Sequence, residues 1–240
     1  MGLLVGGSLL PSCFSSPGPL VSAGGEPLLT SRPGTPSLTG EKGKHTFEIG
    51  DDSAVIYVPE SVDRAAPTRL ILFLHGALRT VDVFVDGHKA AADEAGAIIL
   101  APFACCGTWD AIHSSFGPDV AIIDAALAWA FDRWTIDPAE VIMSGFSDGG
   151  TYSLAVGRAN GDLFSRVVAY SPGFLIDVAP QGKPPILITH GTQDTVLPID
   201  RTSRAIVPLL RTAGYTVEFR EFTGGHAVPQ SAVNDVVRGT

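Results

Sequence analysis

The sequence predicts one α/β domain built around a doubly wound, mostly parallel sheet without a cap domain. From residue 45 onward, short runs rich in Val, Ile and Leu alternate with helical stretches. Continuous apolar runs of this kind are typical of strands that are covered on both faces, as in a parallel sheet. The repeated strand–helix order then places helices on both sides of that sheet.

The predicted elements follow one another in a regular order. Two strands, HTFEI and AVIYVP, are joined by a turn at residues 50–52. The further predicted strands are 68–76, 97–104, 141–146, 166–172, 184–191 and 215–222, and helices are expected near 81–95, near 119–134, after residue 147 and near 199–213. Residues 173–183 are too short a connection for a helical cap, so an open site is expected.

The N-terminal residues 1–42 differ in composition from the rest. Residues 14–42 are rich in Pro, Gly, Ser and Thr, which predicts a flexible linker ahead of a domain spanning 43–240. The apolar start runs into LPSC, which resembles a bacterial lipoprotein signal with Cys13 as a lipid anchor, although no basic residue precedes Arg32. This pattern favours an exported protein (periplasmic, extracellular or lipid-anchored), and an unstructured tail on a cytoplasmic protein is the alternative.

Composition argues against several classes of partner and cofactor. The chain has 16 Lys and Arg against 25 Asp and Glu, a net charge of −9, and no basic cluster, so no nucleic-acid partner is expected. No window reaches the roughly 18 apolar residues of a membrane span. Besides Cys13, the cysteines are the adjacent Cys105 and Cys106, which we expect to be reduced thiols because vicinal disulfides are strained. No metal and no cofactor are expected.

A candidate nucleophile lies in Gly145-Phe146-Ser147-Asp148-Gly149, a G-x-S-x-G sequence. The strand VIMSGF leads directly into it, and an apolar helix follows. A strand-to-helix turn of this tightness requires small flanking residues and exposes the serine hydroxyl above the sheet edge. A Ser/Asp helix cap with chance glycines is the alternative interpretation.

A serine nucleophile requires a base and an acid to orient that base. His226, in a loop after the last predicted strand, is the candidate base, and Asp194, directly after the strand PPILITH, is the candidate acid. A turn aspartate that caps the next helix is the alternative for Asp194. His190 is the rival base. The other histidines are assigned as follows: His75 to a structural or oxyanion-loop position, His113 to substrate contact, and His45 and His88 to the surface.

Donors for a developing oxyanion and apolar walls for a substrate are also predicted. The backbone N–H groups of Ala77, at the end of an inner strand, and of Asp148, after the serine, are the predicted oxyanion pair. The Asp148 side chain is expected to face away from this pair and to cap the helix. The candidate walls are Trp109, Phe116 and Phe174, each of which has core packing as the alternative.

Six segments carry a family resemblance: LHGALRT, APFACCGTWD, GFSDGGTYSLAVGRANGDLF, YSPGFL, HGTQDTVLPID and GGHAVP. Together, over residues 45–238, they resemble the phospholipase/carboxylesterase group of α/β-hydrolases. The resemblance implies the α/β-hydrolase fold and cofactor-free hydrolysis of small or short-acyl esters through an acyl-enzyme on Ser147. A secreted polyester (polyhydroxyalkanoate-type) or feruloyl esterase is the alternative enzyme, and a non-catalytic binding protein of this fold is the alternative from another class. The HGALR and FACC stretches depart from the family pattern beside the expected acyl pocket, which leaves the substrate preference open.

Overall fold

The computed structural model describes residues 18–77 and 81–239, and the candidate lipid-anchor residue Cys13 lies outside them. The strands in this part of the chain are β1 Leu20–Ser22, β2 Gly43–Ile49, β3 Asp52–Val58, β4 Thr68–Leu74, β5 Ile98–Pro102, β6 Ile136–Phe146, β7 Arg166–Tyr170, β8 Leu175–Asp177, β9 Ile186–Gly191 and β10 Val217–Phe222. The helices are α1 Val81–Ala95, α2 Pro118–Phe131, α3 Asp148–Ala159, α4 Ser203–Thr212 and α5 Gln230–Arg238, with short 3-10 helices at Asp110–Ile112 and Ile199–Arg201. Among these described helices, none has the length and apolar character that a membrane crossing requires.

Eight of the strands form one sheet in the order β10-β9-β7-β6-β4-β5-β3-β2. The pairings from β10 across to β5 are parallel, and β3 and β2 are added antiparallel at one edge. The prediction of a mostly parallel, doubly wound sheet is confirmed. Because the central strands are parallel, their carboxyl ends meet at one edge, and loops leaving that edge can bring distant residues together.

Helices cover both faces of this sheet. Along β4, the side chains of Leu70, Leu72 and Leu74 point to the core on one face, while Ile71 and Phe73 point to the other. The first face is covered by α2, α3 and α4, and the second by α1 and α5. The alternation follows from the two-residue period of a strand and explains why β4 reads as a continuous apolar run.

Some elements differ from the sequence-based expectation. The central strand β6 begins at Ile136 rather than at 141, and α5 was not predicted although Ala232, Val233, Val236 and Val237 form an apolar stripe that is buried in the structure. His88, expected at the surface, is buried on α1, with its Nδ1 at the carbonyl oxygen of Phe84. The connection between β7 and β9 contains only the three-residue strand β8.

The expectation of a free linker is wrong for residues 18–42. Strand β1 pairs in parallel with β8, and Leu29 is buried in the main core. The N–H of Leu29 donates to Oδ1 of Asn160 (2.8 Å), and the N–H groups of Thr30 and Ser31 donate to Oδ1 of Asp124 (2.9 and 2.8 Å). A segment rich in Pro, Gly and Ser can therefore be held by a few buried contacts, which its composition does not reveal.

Candidate active site

Ser147 occupies the turn between β6 and α3, at the carboxyl edge of the sheet. Its backbone has φ +56° and ψ −118°, in the left-handed half of φ space that non-glycine residues rarely adopt. A Cβ on Gly145 would overlap the Gly149 carbonyl group, and a Cβ on Gly149 would overlap the Leu74 carbonyl group. These two glycines therefore let α3 pack directly against β4 and hold the turn tight enough to present the serine side chain.

His226 and Asp194 complete a chain of hydrogen bonds that begins at Ser147. Nε2 of His226 lies 2.9 Å from Oγ of Ser147, and Nδ1 of the same ring lies 2.7 Å from Oδ2 of Asp194. With the proton on Nδ1 facing the carboxylate, the free lone pair on Nε2 faces the serine hydroxyl. This is the geometry required for a histidine that removes the proton from a serine.

The Asp194 carboxylate is buried and held ionised by its neighbours. Burial acts to raise its pKa, but the N–H of Leu197 (2.8 Å), the His226 ring and the N–H of Val196 (2.9 Å) outweigh burial and lower that pKa below its ordinary value. The two N–H groups bond to Oδ1, which leaves Oδ2 for the imidazole. Asp194 thus faces His226 as a fixed anion.

His190, the rival base, lies behind Asp194. Its Nε2 is 3.1 Å from Oδ2 of Asp194 and 2.8 Å from the Leu197 carbonyl oxygen, and its Nδ1 is 2.7 Å from Oγ of Ser203. Two oxygens facing Nε2 indicate that this nitrogen carries the proton and that Nδ1 accepts from Ser203. Burial lowers the pKa of His190, so the ring is a neutral donor to Asp194. The structure therefore brings His226, and not His190, to Ser147.

The two predicted oxyanion donors belong to segments that adjoin Ser147. Ala77 follows Gly76, where an added Cβ would lie 3.3 Å from Cβ of Ser147, so the end of β4 approaches the serine closely. Asp148 begins α3, and the first N–H groups of a helix have no partner within it. The expected helix cap by the Asp148 side chain is wrong, because its Oδ2 accepts a hydrogen bond from Oγ1 of Thr108 (2.7 Å).

Two of the three predicted substrate walls belong to the core. Trp109 is fully buried and donates from Nε1 to the carbonyl oxygen of His75 (2.8 Å), and Phe116 is buried against the ring of Tyr152. Phe174 is partly exposed and packs at the edge of the core. Sequence reasoning did not single out Val196, whose N–H donates to Asp194 and whose apolar side chain is 64% exposed.

A buried carboxylate, which the sequence analysis did not single out, shapes the loop beside Ser147. Asp119 accepts the N–H groups of Cys105 (2.8 Å) and Asp110 (2.6 Å), and Asp110 in turn accepts the hydroxyl of Tyr152 (2.9 Å). Burial raises the pKa of Asp119, and the N–H donors oppose that rise. The network fixes the loop that carries Thr108 and Trp109, and hence the contacts of that loop with Asp148 and His75.

The cysteines of this loop are free thiols in the structure. Sγ of Cys105 lies 3.2 Å from Sγ of Cys106. Burial, with the neighbouring Cys106 and Asp119, raises the pKa of the Cys105 thiol to about 12. Because the thiolate is the reactive form, Cys105 is expected to be a poor nucleophile at neutral pH.

The model of the phospholipase/carboxylesterase family matches residues 110–238, which include Ser147, Asp194 and His226. The chain belongs to this family. The resemblance noted in the sequence is thereby confirmed, and the α/β-hydrolase fold accounts for the strand order and for the strand–turn–helix at the serine.

Proteins similar to this chain include feruloyl esterases and an acyl-protein thioesterase. Feruloyl esterase C of Emericella nidulans is 32% identical over 162 residues, 64% of this chain and 58% of the relative. Acyl-protein thioesterase 1 of Gibberella zeae is 30% identical over 106 residues, 40% of this chain and 45% of the relative. The matched region thus spans somewhat more than half the length of the feruloyl esterases and less than half of the thioesterase.

Solved structures share the fold at low sequence identity. A fluorophosphonate-binding serine hydrolase of Staphylococcus aureus superposes with a TM-score of 0.64 at 14% identity, covering 83% of this chain and 98% of that one. A ferulic acid esterase of Anaeromyces mucronatus gives 0.62 at 17% identity, covering 87% and 95%. At these low identities the superpositions support the fold of this chain and do not identify its substrate.

Proposed function

We propose that the protein is a serine carboxylic-ester hydrolase that forms an acyl-enzyme on Ser147. The observation that carries this proposal is the pair of hydrogen bonds that links Ser147 to His226 and His226 to Asp194. Ser147 itself lies on a tight turn at the sheet edge. Family membership supports it, since the matched family is that of phospholipases and carboxylesterases.

The geometry supports a two-stage reaction. Oγ of Ser147 attacks the ester carbonyl carbon while its proton passes to Nε2 of His226, and Asp194 stabilises the imidazolium that forms. The N–H groups of Ala77 and Asp148 face the carbonyl oxygen as it becomes an oxyanion. The imidazolium then gives its proton to the departing alcohol, and a water molecule activated by His226 hydrolyses the acyl-enzyme.

The substrate class we favour is small or short-acyl esters. Residues 171–185, between β7 and β9, form only the short strand β8, and this connection is too short to fold over Ser147 as a cap. An open site buries few methylene groups, and each buried one contributes only about 0.8 kcal/mol. Partly exposed Phe174 and exposed Val196 are the apolar side chains that we propose for the acyl group.

A feruloyl esterase is the second candidate, because five of the matched relatives carry that name. Its substrate has an aromatic acyl group that a shallow apolar site with Phe174 would also accommodate. A panel that compares methyl ferulate with p-nitrophenyl butyrate separates the two. A kcat/KM at least tenfold higher on the ferulate favours the feruloyl esterase, and the reverse order favours the short-acyl esterase.

The test of the reaction itself replaces the three residues in turn. Ser147→Ala, His226→Ala and Asp194→Ala should each lower kcat by roughly 10⁴–10⁶-fold, with double variants little worse, because the three act as a unit. His190→Gln is the matched control: it retains a donor to Asp194, and we expect a loss within about tenfold. A Ser147→Ala variant with activity within tenfold of wild type would contradict the proposal.

A fluorophosphonate probe distinguishes this enzyme from a non-catalytic binding protein of the same fold. The wild type should be labelled at Ser147, and labelling should disappear in Ser147→Ala and fall steeply in His226→Ala. A properly folded wild type that the probe does not label would favour the binding protein.

We also propose that the protein is exported and lipid-anchored at Cys13. The support is the apolar start of the chain, which ends at Leu10 and is followed by Pro11, Ser12 and Cys13. Expression in a bacterial host, with radiolabelled palmitate and a Cys13→Ser control, tests the anchor. Label in the wild type alone is the expected result, and equal label in both proteins would overturn it. Protein recovered only from the cytosolic fraction would overturn export.

A further inference from the structure

Phe146, the residue directly before Ser147, places its ring against the ring of His226. The two ring centroids lie 4.7 Å apart, and the ring planes are inclined by 36°. Rings so close to parallel could not bring their centroids this near if they met edge to edge, because their atoms would overlap. The contact therefore involves the ring faces, and the candidate base rests on an aromatic side chain.

The position of the Phe146 ring is fixed by the sheet. Phe146 is the last residue of β6, where it is paired with Tyr170 of β7. Its side chain is partly buried and packs on the core beneath α1 and α5. A Cβ added at Gly76 would lie 3.3 Å from Cδ1 of Phe146, so the backbone after β4 also approaches the ring closely. The ring is thus a rigid surface against which the loop carrying His226 can settle.

The charge of the imidazole changes during the proposed reaction. Nε2 of His226 faces Oγ of Ser147 at 2.9 Å and takes up its proton, which turns a neutral ring into a cation. The face of a phenyl ring carries partial negative charge and attracts a cation that lies within about 6 Å of its centroid. Phe146 should therefore interact more strongly with the imidazolium than with the imidazole. An interaction that is stronger in the transition state than in the ground state raises kcat.

We propose that Phe146 is a positioning residue that orients the His226 ring and stabilises its imidazolium form. Its contribution differs from that of Asp194, which bonds to Nδ1 in the plane of the ring (2.7 Å), whereas Phe146 contacts a ring face. The role rests on the proposed ester hydrolysis, because the imidazolium forms in the course of that reaction. Both the acylation and the deacylation stage pass through this cation, so Phe146 acts on both.

The experiment replaces Phe146 in the full chain, by site-specific incorporation, with mono-, di- and trifluorophenylalanine. Fluorine withdraws negative charge from the ring face and changes the shape of the side chain very little. On p-nitrophenyl butyrate, at the plateau of the pH profile, kcat should fall stepwise along the series and be roughly fivefold lower for the trifluoro analogue. KM should stay within about twofold, because both stages lose the same stabilisation.

Two further measurements separate stabilisation of the cation from simple packing. Phe146→Leu keeps an apolar side chain without an aromatic face and should lower kcat by roughly fivefold to tenfold. Along the fluorinated series, the acidic limb of the kcat/KM profile should move to lower pH, because the protonated His226 ring loses stabilisation. Asp194 faces the same ring and His190 lies behind Asp194, and both are unaltered in every variant. A ring that was only displaced would lower the plateau without this shift.

The matched control places the same three analogues at Phe84, which is buried on α1 and stacks on Phe73. There kcat should stay within about twofold of wild type. Equal losses at both positions would overturn the role of Phe146, and so would a constant kcat along the Phe146 series in an active enzyme whose Ser147 is labelled by a fluorophosphonate. A folded wild type that neither hydrolyses esters nor takes up the probe would instead overturn the proposed hydrolysis, and the role of Phe146 with it.

Discussion

Leu29→Ala is the perturbation that most directly tests how residues 18–42 join the domain. Leu29 is 4% exposed and belongs to the main core, although it lies in a segment whose composition suggests a linker. Its N–H donates to Oδ1 of Asn160, whose Nδ2 donates to the carbonyl oxygens of Pro27 (2.6 Å) and Val156 (2.8 Å). The backbone around Leu29 is therefore fixed on α3, and its side chain cannot simply move out to solvent.

The magnitude follows from the carbons that are removed. Three buried carbons at about 0.8 kcal/mol each give roughly 2.4 kcal/mol, and the cavity left behind raises the loss of unfolding free energy to about 3 kcal/mol. For a domain of this size, 1 kcal/mol shifts the melting temperature by about 2–4 °C. Leu29→Ala should therefore lower Tm by roughly 6–12 °C.

The assay is thermal unfolding followed by circular dichroism, with urea titration for the free energy. Leu28→Ala is the matched control, because this neighbour is 42% exposed and its truncation should shift Tm by less than about 2 °C. A Leu29→Ala protein that melts within 2 °C of wild type would refute the argument that burial of Leu29 stabilises the domain. Residues 18–42 would then be better described as a linker. Equal losses in both variants would indicate that side-chain burial is not what holds the segment.

Three further predictions concern the site and the pH dependence of stability. Thr108→Val leaves the Asp148 carboxylate without its hydroxyl donor, so kcat/KM should fall about tenfold with little change in Tm. Thr108→Ser keeps the hydroxyl and should retain activity. A fully active Thr108→Val would contradict the role of this contact. On p-nitrophenyl esters from acetate to palmitate, kcat/KM should peak at an acyl chain of about eight carbons or fewer. A maximum on palmitate, or a jump in rate when the substrate forms micelles, would show that a lid covers Ser147. Burial lowers the pKa of His88 from its ordinary 6.5, so the unfolded chain takes up a proton near that pH before the folded protein does. Stability should fall as pH falls through about 6.5, by up to about 1.4 kcal/mol per pH unit for this group, and His88→Leu should show a shallower slope in urea titrations between pH 5.5 and 7.5; an unchanged slope would exclude His88 as the source.

Much of the secondary structure was predictable because its signals are local. Strand β4 and helix α1 lie where the apolar runs and helical pattern placed them, since period and composition are properties of neighbouring residues. Strand β6 was predicted too short, because its first half contains Asp137, Pro138 and Glu140 and so lacks a continuous apolar run. This stretch pairs with the start of β4 through Ile136 and Thr68, a contact that the local pattern does not encode.

The candidate site was predictable to the extent that chain order and strand ends define it. Ser147, Asp194 and His226 each follow a predicted strand, and parallel strands bring their carboxyl ends to one edge. The residues adjacent to each histidine in the sequence do not show whether His226 or His190 contacts Ser147. Both rings lie within hydrogen-bonding range of Oδ2 of Asp194, and only the folded loop after β10 decides which one reaches the serine.

The tight serine turn and the order of the elements could be read from the residues alone. The need for glycine at position 145 is local, because a Cβ there would overlap the Gly149 carbonyl group four residues away, whereas at Gly149 the limit is set by the Leu74 carbonyl group at the end of β4. Which side chains are buried depends on the folded arrangement of the whole domain. The N–H of Leu29 bonds to Asn160, 131 residues away, and Trp109 donates to the His75 carbonyl oxygen, 34 residues away. Local sequence therefore predicted neither the anchoring of residues 18–42 nor which of its two alternatives, substrate wall or core, Trp109 adopts. Burial is a property of contacts between distant residues, and an aromatic or polar side chain carries the same letter whether it lines a cleft or fills the core.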